Sequence, residues 1–384
     1  MNVGPQNIVI VGAGPTGLAL SAELNRLGVS PLVLDKQATG QNTSRACVVH
    51  ARTLEVLESI GATSELLQEG LVVPIFRIRD RSRILATIDF KDIKTAYPFT
   101  LMCEQDHVEA ILLRRLQSLG GIVQRPCEVV DVSREGGDIT VRVRNGSEEA
   151  IHTKWLIGCD GAHSFVREHV SIPFEGGAYE ESFILADVEM DWPLDRDEVT
   201  LFYSEKGLVV VAPLPKDHYR IVATVAQAHE QPSLVDFESV LNERGPQSGA
   251  ISIRRLVWSS RFRIQHRVAK SLREGNILLA GDAAHVHSPA GGQGMNTGIQ
   301  DAVSLAHALH HTMQNGDDAA LNKWQQERLT VAHSVVDLTD RMTRVATISS
   351  PALKALRNAA VELIGHLPFA THMAAEKLAE LNSR

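Results

Sequence analysis

The sequence predicts an α/β protein in which a parallel, helix-flanked sheet is combined with an inserted, mostly antiparallel sheet and C-terminal helices. Three observations indicate this fold: a strand, a glycine-rich loop and a helix near the N-terminus; two later aspartate-containing turns that each follow an apolar strand; and alternating strand patterns between them. The composition is typical of a folded globular chain, because 44% of the 384 residues are hydrophobic and only 22% are charged.

Charge and cysteine usage narrow the class of protein. The net charge of −8 argues against a broadly basic nucleic-acid-binding surface, and no stretch approaches the roughly 18 apolar residues of a membrane span. The four cysteines contain no CxxC pair, which disfavours zinc or thioredoxin-like chemistry and suits a reducing compartment. We therefore expect a cytoplasmic monomer or homodimer with no metal site, no nucleic-acid partner and no integral membrane association.

The N-terminal segment carries the first chemical motif. Residues 7–11 are a β-branched run that predicts a strand buried on both faces. The loop Gly12-Ala13-Gly14-Pro15-Thr16-Gly17 follows, then a helix predicted over residues 18–24 and a second strand predicted over residues 31–35. This order matches the Gly-x-Gly-x-x-Gly pattern of a dinucleotide-binding strand–helix–strand unit.

Each part of this motif has a physical task. Gly12 permits the tight turn, Gly14 lets the backbone approach a pyrophosphate, and Gly17 lets helix and strand pack closely. Asp35 is placed to accept hydrogen bonds from a ribose with a free 2′-hydroxyl, which suits NAD or FAD and disfavours NADP at this site. The motif alone does not separate NAD from FAD. The predicted cofactor-binding residues here are Gly12, Gly14, Pro15, Thr16, Gly17, Asp35 and Lys36.

Two further motifs follow at a distance in the chain. Residues 155–159 predict a strand that enters an Asp160-Gly161 turn, after which a helix opens at Ser164. Residues 276–280 predict another strand, followed by Gly281-Asp282, a loop rich in proline and glycine, and a helix. Asp282 at the strand end can accept from a hydroxyl group, and the N-terminus of the helix can stabilise negative charge.

With these three motifs in this order, the sequence resembles the single-component FAD-dependent aromatic hydroxylases of the p-hydroxybenzoate and phenol hydroxylase type. The resemblance covers roughly residues 5–345. It implies that the cofactor is FAD, held in a Rossmann-like domain. Because the chain ends soon after Asn296, we expect no thioredoxin-like C-terminal domain of the kind that phenol hydroxylases carry.

The resemblance also implies roles for individual residues. Asp160 would lie near the pyrophosphate, Asp282 near a ribityl or ribose hydroxyl, and Pro289 beside the flavin ring, where it stiffens the loop. Arg220 occupies a plausible position for an arginine near the flavin, so Pro289 and Arg220 are the predicted catalytic residues. The further cofactor-binding residues implied are Arg45, Gln105, Val129, Gly294, Met295 and Asn296. His285 and His287 are interpreted as loop or packing residues rather than catalytic bases.

As for activity, the resemblance implies that NAD(P)H binds transiently and reduces FAD, and that O2 then forms a flavin C4a-hydroperoxide that hydroxylates a phenolic or polycyclic aromatic small molecule. A second dinucleotide motif and a CxxC pair are absent from the sequence, which disfavours a disulfide reductase. No two tryptophans lie two residues apart, which disfavours a flavin-dependent halogenase. Epoxidation, Baeyer–Villiger or decarboxylative oxygenation, and a non-catalytic flavin-binding module, remain alternatives.

The motifs are spread along the chain, so the predicted domains are interleaved. We expect a discontinuous FAD-binding domain over residues 1–75, 98–180 and 263–345, and a substrate-binding sheet domain over residues 76–97 and 181–262. Residues 346–384 are expected to form a helical segment with a break between Gly365 and Pro368.

Overall fold

The computed structural model describes residues 6–40, 46–135, 138–225, 229–247, 249–348 and 350–381. The strands of the first half are β1 Gln6–Val11, β2 Leu32–Leu34, β3 Val48–Val49, β4 Leu71–Val73, β5 Ile75–Asp80, β6 Arg83–Asp89, β7 Thr100–Met102, β8 Val123–Gln124, β9 Glu128–Glu135, β10 Asp138–Asn145, β11 Ser147–Gly158 and β12 Phe174–Asp191. They are followed by β13 Glu198–Ser204, β14 Gly207–Pro213, β15 His218–Val225, β16 Ser252–Ala269, β17 Arg273–Glu274, β18 Ile277–Leu279 and β19 His285–Val286.

The helices connect and cover these strands. They are α1 Pro15–Arg26, α2 Ala51–Leu57, α3 Thr63–Glu69, α4 Gln105–Ser118, α5 Phe165–His169, α6 Leu234–Arg244, α7 Gly294–Asn315, α8 Ala319–Ala346, α9 Pro351–Gly365 and α10 Pro368–Leu378, with a short 3-10 turn at Gly281–Ala283. None of the helices within the described ranges is long and apolar enough to cross a membrane.

The first sheet contains the strands of the three sequence motifs. Its order is β17-β18-β11-β1-β2-β8; β10 pairs antiparallel with β11, and β9 pairs antiparallel with β10. The pairs β1–β11, β1–β2 and β11–β18 are parallel, as the apolar runs predict. The completely buried residues Ile8, Leu156 and Leu278 place the centre of this sheet in the main hydrophobic core. The predicted α/β fold with a Rossmann-like parallel sheet is confirmed.

The second sheet is the predicted inserted one, with the order β19-β16-β12-β15-β14-β13-β5-β6. All of its neighbouring strands pair antiparallel except β5 and β13, which run parallel. One face packs Val209, Val211 and Ile221 against Phe237 of α6. The opposite face packs Ala212 with residues of a small third sheet, β3-β7-β4, and of α10. The sheet is therefore covered by α6 on one face and by the third sheet and α10 over part of the other.

The C-terminal part is helical, as predicted, with the break falling between α9 and α10. The predicted domain boundaries stay a prediction, and three of them fall inside strands: one at residues 75–76 within β5 and two within long strands. Strand β12 runs through residues 180–181, and β16 runs through residues 262–263. These two strands pair with each other over nearly their full lengths, which joins the two predicted domains through continuous backbone.

Candidate active site

The three motifs come together at the carboxyl ends of neighbouring strands. Val11 lies beside Gly158, and Gly158 lies beside Leu279, in the register of β1, β11 and β18. The loops that follow these strands therefore meet at one edge of the sheet, where ligands bind in open α/β sheets. Residues more than 260 positions apart in the chain are neighbours there because the sheet order is not the sequence order.

The glycine loop has the shape of a phosphate cradle. A Cβ atom at Gly12 would lie 2.3 Å from the carbonyl oxygen of Cys159, and the φ of Gly12 is 100°, so only glycine fits. Gly17 packs in the same way against the carbonyl of Gly12. By contrast, a Cβ at Gly14 would have nothing within 4 Å. Gly14 therefore faces open space at the N-terminus of α1, which begins at Pro15 and has no side-chain cap.

Asp35 stands beside this cradle with partners of its own. Its Oδ2 accepts a hydrogen bond of 2.8 Å from the backbone N–H of Ala13 and lies 3.3 Å from Nη2 of Arg125. The same Arg125 nitrogen donates to the carbonyl of Ala13 at 3.0 Å. The predicted ribose acceptor is thus positioned by the loop and by an arginine that the sequence motif does not contain. Lys36 is exposed next to it.

Thr16 links the first motif to the third. A Cβ at Gly281 would lie 2.4 Å from the Thr16 hydroxyl oxygen, and a Cβ at Gly298 would lie 2.6 Å from it. The start of α1, the 3-10 turn and the second turn of α7 are therefore in close contact. Asp282 is exposed in this turn, directly after the strand whose end meets the cradle.

Asp160 belongs to the same edge but uses its carboxylate within the protein. Its Oδ1 accepts from the Ser164 hydroxyl at 2.5 Å, and its Oδ2 accepts from the N–H of Val166 at 3.1 Å. It therefore holds the N-terminus of α5. Burial raises the pKa of Asp160, and the hydrogen bonds from Ser164 and the helix amides oppose that rise.

The loop before α7 is held by a buried polar cluster. Asn296 accepts from the N–H of His50 at 2.8 Å, and its amide donates to the carbonyls of Val48 and Gly292 at 2.8 and 2.7 Å. His50 lies 2.7 Å from the carbonyl of Gly291 through its Nε2, and burial lowers the pKa of His50 to about 4, so the ring is neutral. The side chain of Asn296, predicted to bind the cofactor, is thus committed to the loop itself.

The other predicted residues of this loop are accessible to different degrees. Pro289 is exposed, and its carbonyl accepts from the N–H of Gly292 at 2.9 Å, which closes a turn. Gly294 and Met295 are half-buried in the first turn of α7. The ring of His287 lies next to Gly294. Its Nε2 atom is buried and has no hydrogen-bond partner among the described residues. Such an atom can serve as an acceptor for a bound group.

On the second sheet, Arg220 is buried and paired. Its Nε and Nη2 donate to the two carboxylate oxygens of Asp187 at 2.8 and 2.7 Å, and the arginine is 2% exposed. Asp187 lies directly opposite it on β12. Glu104 adds its electrostatic influence on Arg220. Burial raises the pKa of Cys47 to about 11, so this thiol is neutral and not a nucleophile.

Beside this ion pair the sheet presents an apolar row. Val222, Val210, Leu201 and Ile78 are register partners on β15, β14, β13 and β5, and each is only half-buried. They lie on the same face as Arg220, because Arg220 and Val222 are two residues apart on one strand. An apolar row next to a single paired cation suits a flat, apolar ligand.

Three further predicted residues remain, and one of them lies outside the described residues. Gln105 accepts from the N–H of Ala46 at 3.3 Å and donates to Glu109 at 2.9 Å. Val129 is buried in β9, close in the chain to Cys127, whose N–H donates to the carbonyl of Asp35. Arg45 lies outside the described residues.

The residues present fit a flavin dinucleotide. The open space at Gly14 and the uncapped N-terminus of α1 suit a pyrophosphate, and the unpartnered Nε2 of His287 can accept from a bound group. The described residues hold no group of three or more His, Cys, Asp or Glu side chains that could bind a metal ion. All four cysteines are buried free thiols.

Comparison with known proteins agrees with this geometry. The family described as FAD binding domain matches residues 6–339. The chain belongs to this family of FAD-dependent aromatic monooxygenases. The predicted family resemblance is therefore confirmed, and the family match supports FAD as the cofactor, whereas the roles of the individual site residues stay predictions.

Three known proteins show how similar this chain is to others in sequence and in fold. The chain is 37% identical over 362 residues to 6-methylpretetramide 4-monooxygenase of Streptomyces rimosus, covering 93% of this chain and 63% of that protein. It is 30% identical to pentachlorophenol 4-monooxygenase of Sphingobium chlorophenolicum, covering 88% and 64%. The chain thus spans a little under two thirds of these two relatives. The crystal structure of p-nitrophenol 4-monooxygenase from Pseudomonas putida DLL-E4 has the same fold, with a TM-score of 0.88, 23% identity and 99% coverage of both chains.

Sequence reasoning missed several residues that shape the site. Arg125, Asp187 and His50 each act through a partner that is distant in the sequence, so no local motif marks them. The only available signal was the charge of Asp187 within an otherwise apolar stretch of β12. A charged residue in a buried strand normally requires a buried partner.

Proposed function

We propose that this protein is an FAD-dependent monooxygenase that uses NAD(P)H and O2 to hydroxylate a phenolic or polycyclic aromatic small molecule. The observation that carries the proposal is the meeting of the three motifs at one sheet edge, with the open cradle at Gly14. When bound, FAD would supply the redox chemistry, taking electrons from NAD(P)H and passing one oxygen atom of O2 to the substrate.

In this proposal the residues of the first domain bind and orient the cofactor. The N–H groups at the start of α1 would hold the pyrophosphate, and Asp35, positioned by Arg125, would accept from the adenosine ribose. Asp282 would accept from a ribityl hydroxyl. The loop before α7, fixed by His50 and Asn296, would direct its N–H groups and the helix dipole toward the pyrimidine edge of the ring.

The second sheet would form the substrate side. Its apolar row would pack against the face of an aromatic ring and exclude water from the reacting atoms. The charge of Arg220 is already balanced by Asp187, which favours neutral aromatic compounds over carboxylated ones. Relatives named for 6-methylpretetramide and pentachlorophenol support aromatic substrates of this kind. We also propose the interleaved division into an FAD-binding domain and a substrate-binding sheet.

The experiment is a screen of neutral and carboxylated aromatic compounds for stimulated NADH and NADPH oxidation. Purified protein should be yellow or take up FAD, and a productive compound should yield a product heavier by one oxygen atom. Peroxide is measured alongside to detect uncoupled turnover. Protein that binds FAD but shows no compound-stimulated oxidation contradicts the catalytic proposal and supports a non-catalytic flavin-binding module. Products of ring insertion or epoxidation favour the alternative oxygenations.

A further inference from the structure

The segment that follows α10 crosses the loop before α7. Residues 378–381, here called the strap, pack Leu378, Ala379 and Leu381 into the apolar cluster between the second sheet and the third sheet. The carbonyl of Leu378 accepts from the side chain of Gln293 at 3.2 Å, and the carbonyl of Ala379 accepts from the N–H of Arg52 at 3.2 Å. The strap therefore touches both segments that fix this loop.

At the centre of the strap, Glu380 points its side chain into the protein. It is 6% exposed, and its φ of 59° lies in the left-handed region, which is uncommon for a residue other than glycine. Its carboxyl group contacts the Thr297 hydroxyl at 3.1 Å and accepts a short hydrogen bond from the amide of Gln300. Both partners belong to the first two turns of α7. The backbone strain at Glu380 is retained where its buried carboxyl group contacts the start of α7, which indicates that this contact is specific.

The hydrogen-bond pattern is compatible with a proton on this carboxyl group, and burial of the side chain favours one. The Thr297 hydroxyl has a single proton, and it lies 3.1 Å from the carbonyl of Gln293 as well as 3.1 Å from Glu380. If Thr297 donates to Gln293, the contact with Glu380 forms only when the carboxyl group itself donates. If Glu380 is ionised, the Thr297 hydroxyl donates to it instead, and the carbonyl of Gln293 keeps only the bond from the Thr297 backbone N–H.

The charges that act on Glu380 come from two neighbouring helices. Asp301 of α7 and Arg328 of α8 influence it electrostatically, and α2 contributes the uncharged Thr53, which accepts from Gln300 at 3.2 Å. Asp301 is itself bonded to Arg328 at 2.5 Å and to His285 at 2.6 Å, so its charge is already balanced. Burial raises the pKa of Glu380 to about 8, against the lowering effect of its hydrogen bonds and Arg328.

We propose that Glu380 is a positioning residue that, when protonated, seats the strap and holds the loop before α7 in its cofactor-binding conformation, and that ionisation of Glu380 releases the strap. The inference rests on the proposed role of this loop in binding FAD. The ordinary pKa of the released side chain is near 4.5 and the seated value is about 8. Seating is therefore strongest below pH 4.5, weakens as the pH rises between these values, and changes no further above pH 8.

The test is a titration of apoprotein with FAD between pH 6 and 8.5, using wild type, Glu380→Gln and Glu380→Gly. In the wild type, the Kd for FAD should rise about fivefold or more over this range. Glu380→Gln keeps a neutral side chain of the same shape, so its Kd should stay low and independent of pH. Glu380→Gly relieves the backbone but removes the side chain, so its Kd should be raised at every pH.

Hydrogen exchange of α10 and the strap gives a readout that does not depend on FAD. After correction for the intrinsic effect of pH, exchange in this segment should accelerate at pH 8.5 in the wild type and not in Glu380→Gln. Glu376→Gln, which removes a half-exposed carboxylate on α10, is the matched control and should behave as wild type.

The outcomes separate the two proposals. Equal pH dependence of the FAD affinity in wild type and Glu380→Gln, or unchanged exchange in the strap, overturns the role of Glu380 while leaving the FAD site intact. Wild-type protein that fails to bind FAD at any pH, with its strap exchange still dependent on Glu380, overturns the cofactor proposal alone.

Discussion

Asp187 and Arg220 form a bidentate ion pair between adjacent antiparallel strands, with both side chains almost completely removed from solvent. The pair is the charged feature of a sheet face whose neighbouring row is apolar. Its Coulomb attraction is offset by the cost of taking both charges out of water, so it adds little net stability. Removal of one partner, however, leaves a buried charge without compensation.

Asp187→Asn should lower the free energy of unfolding by about 3–5 kcal/mol, because Arg220 stays charged and buried. Urea denaturation measures this change. Asp191→Asn on the same strand is the control, because Asp191 and Arg254 are 3.7 Å apart and largely exposed, and it should cost less than about 1 kcal/mol. A double replacement of Asp187 and Arg220 by apolar residues should recover most of the loss. Equal effects of the two single variants would contradict this account of the pair.

Gly14→Val should separate FAD binding from folding. The valine would project into open space, so the melting temperature should change by only a few degrees, while its bulk blocks the pyrophosphate and raises the Kd for FAD about tenfold or more. Gly12→Ala is the contrasting variant, because its Cβ would meet the backbone of Cys159 and should lower both stability and FAD binding. If Gly14→Val binds FAD as wild type does, the cradle does not hold the phosphates.

Asp282→Ala should weaken FAD retention far more than stability, because Asp282 is exposed at the end of β18. Flavin titration and a thermal melt of the apoprotein measure the two effects. Glu327→Ala, at an exposed position on α8, is the control and should alter neither. Proportionate losses of FAD affinity and thermal stability in Asp282→Ala would show that the residue acts in folding rather than in cofactor binding.

Asp301→Asn should destabilise the protein by about 3–5 kcal/mol, since the buried Arg328 would lose its partner. Burial alone would raise the pKa of Asp301, but Arg328 and His285 outweigh it and hold this pKa below its ordinary value. The ionised carboxylate thus stabilises the fold above its unfolded pKa, and this contribution is lost as the pH falls through the folded value. Acid denaturation should show a smaller loss in the variant, with the exposed Asp337→Asn matching wild type.

The features predicted from the sequence are those that short stretches of chain encode. Gly12, Gly14 and Asp35 are close together in the sequence, and their spacing reflects the geometry of one strand–helix–strand unit. The helices at the C-terminal end were also predicted, because periodicity and the Gly365 to Pro368 break are local signals. The second sheet was indicated by the alternation along β14 and β15.

The features missed depend on contacts between distant segments. Asp187 and Arg220 are 33 residues apart, and Gln300 and Glu380 are 80 residues apart. The first pair meets because of the register between β12 and β15, and the second meets because the segment after α10 returns to α7. The sequence offers no pattern for such meetings, so the buried acid in the strap and the partner of Arg220 required the three-dimensional structure.

The pairing of β12 with β16 has a mechanical consequence. Each strand is 18 residues long, and the two are hydrogen-bonded from the Phe174–Ala269 end, beside the first sheet, to the Asp191–Ser252 end. A two-stranded connection restrains bending more than a single-stranded linker does, even though the pairing shifts register between Ala178 and Ser182, between Asp187 and Val188, and between Glu189 and Met190. The second sheet is therefore restrained from swinging about the connection to the first.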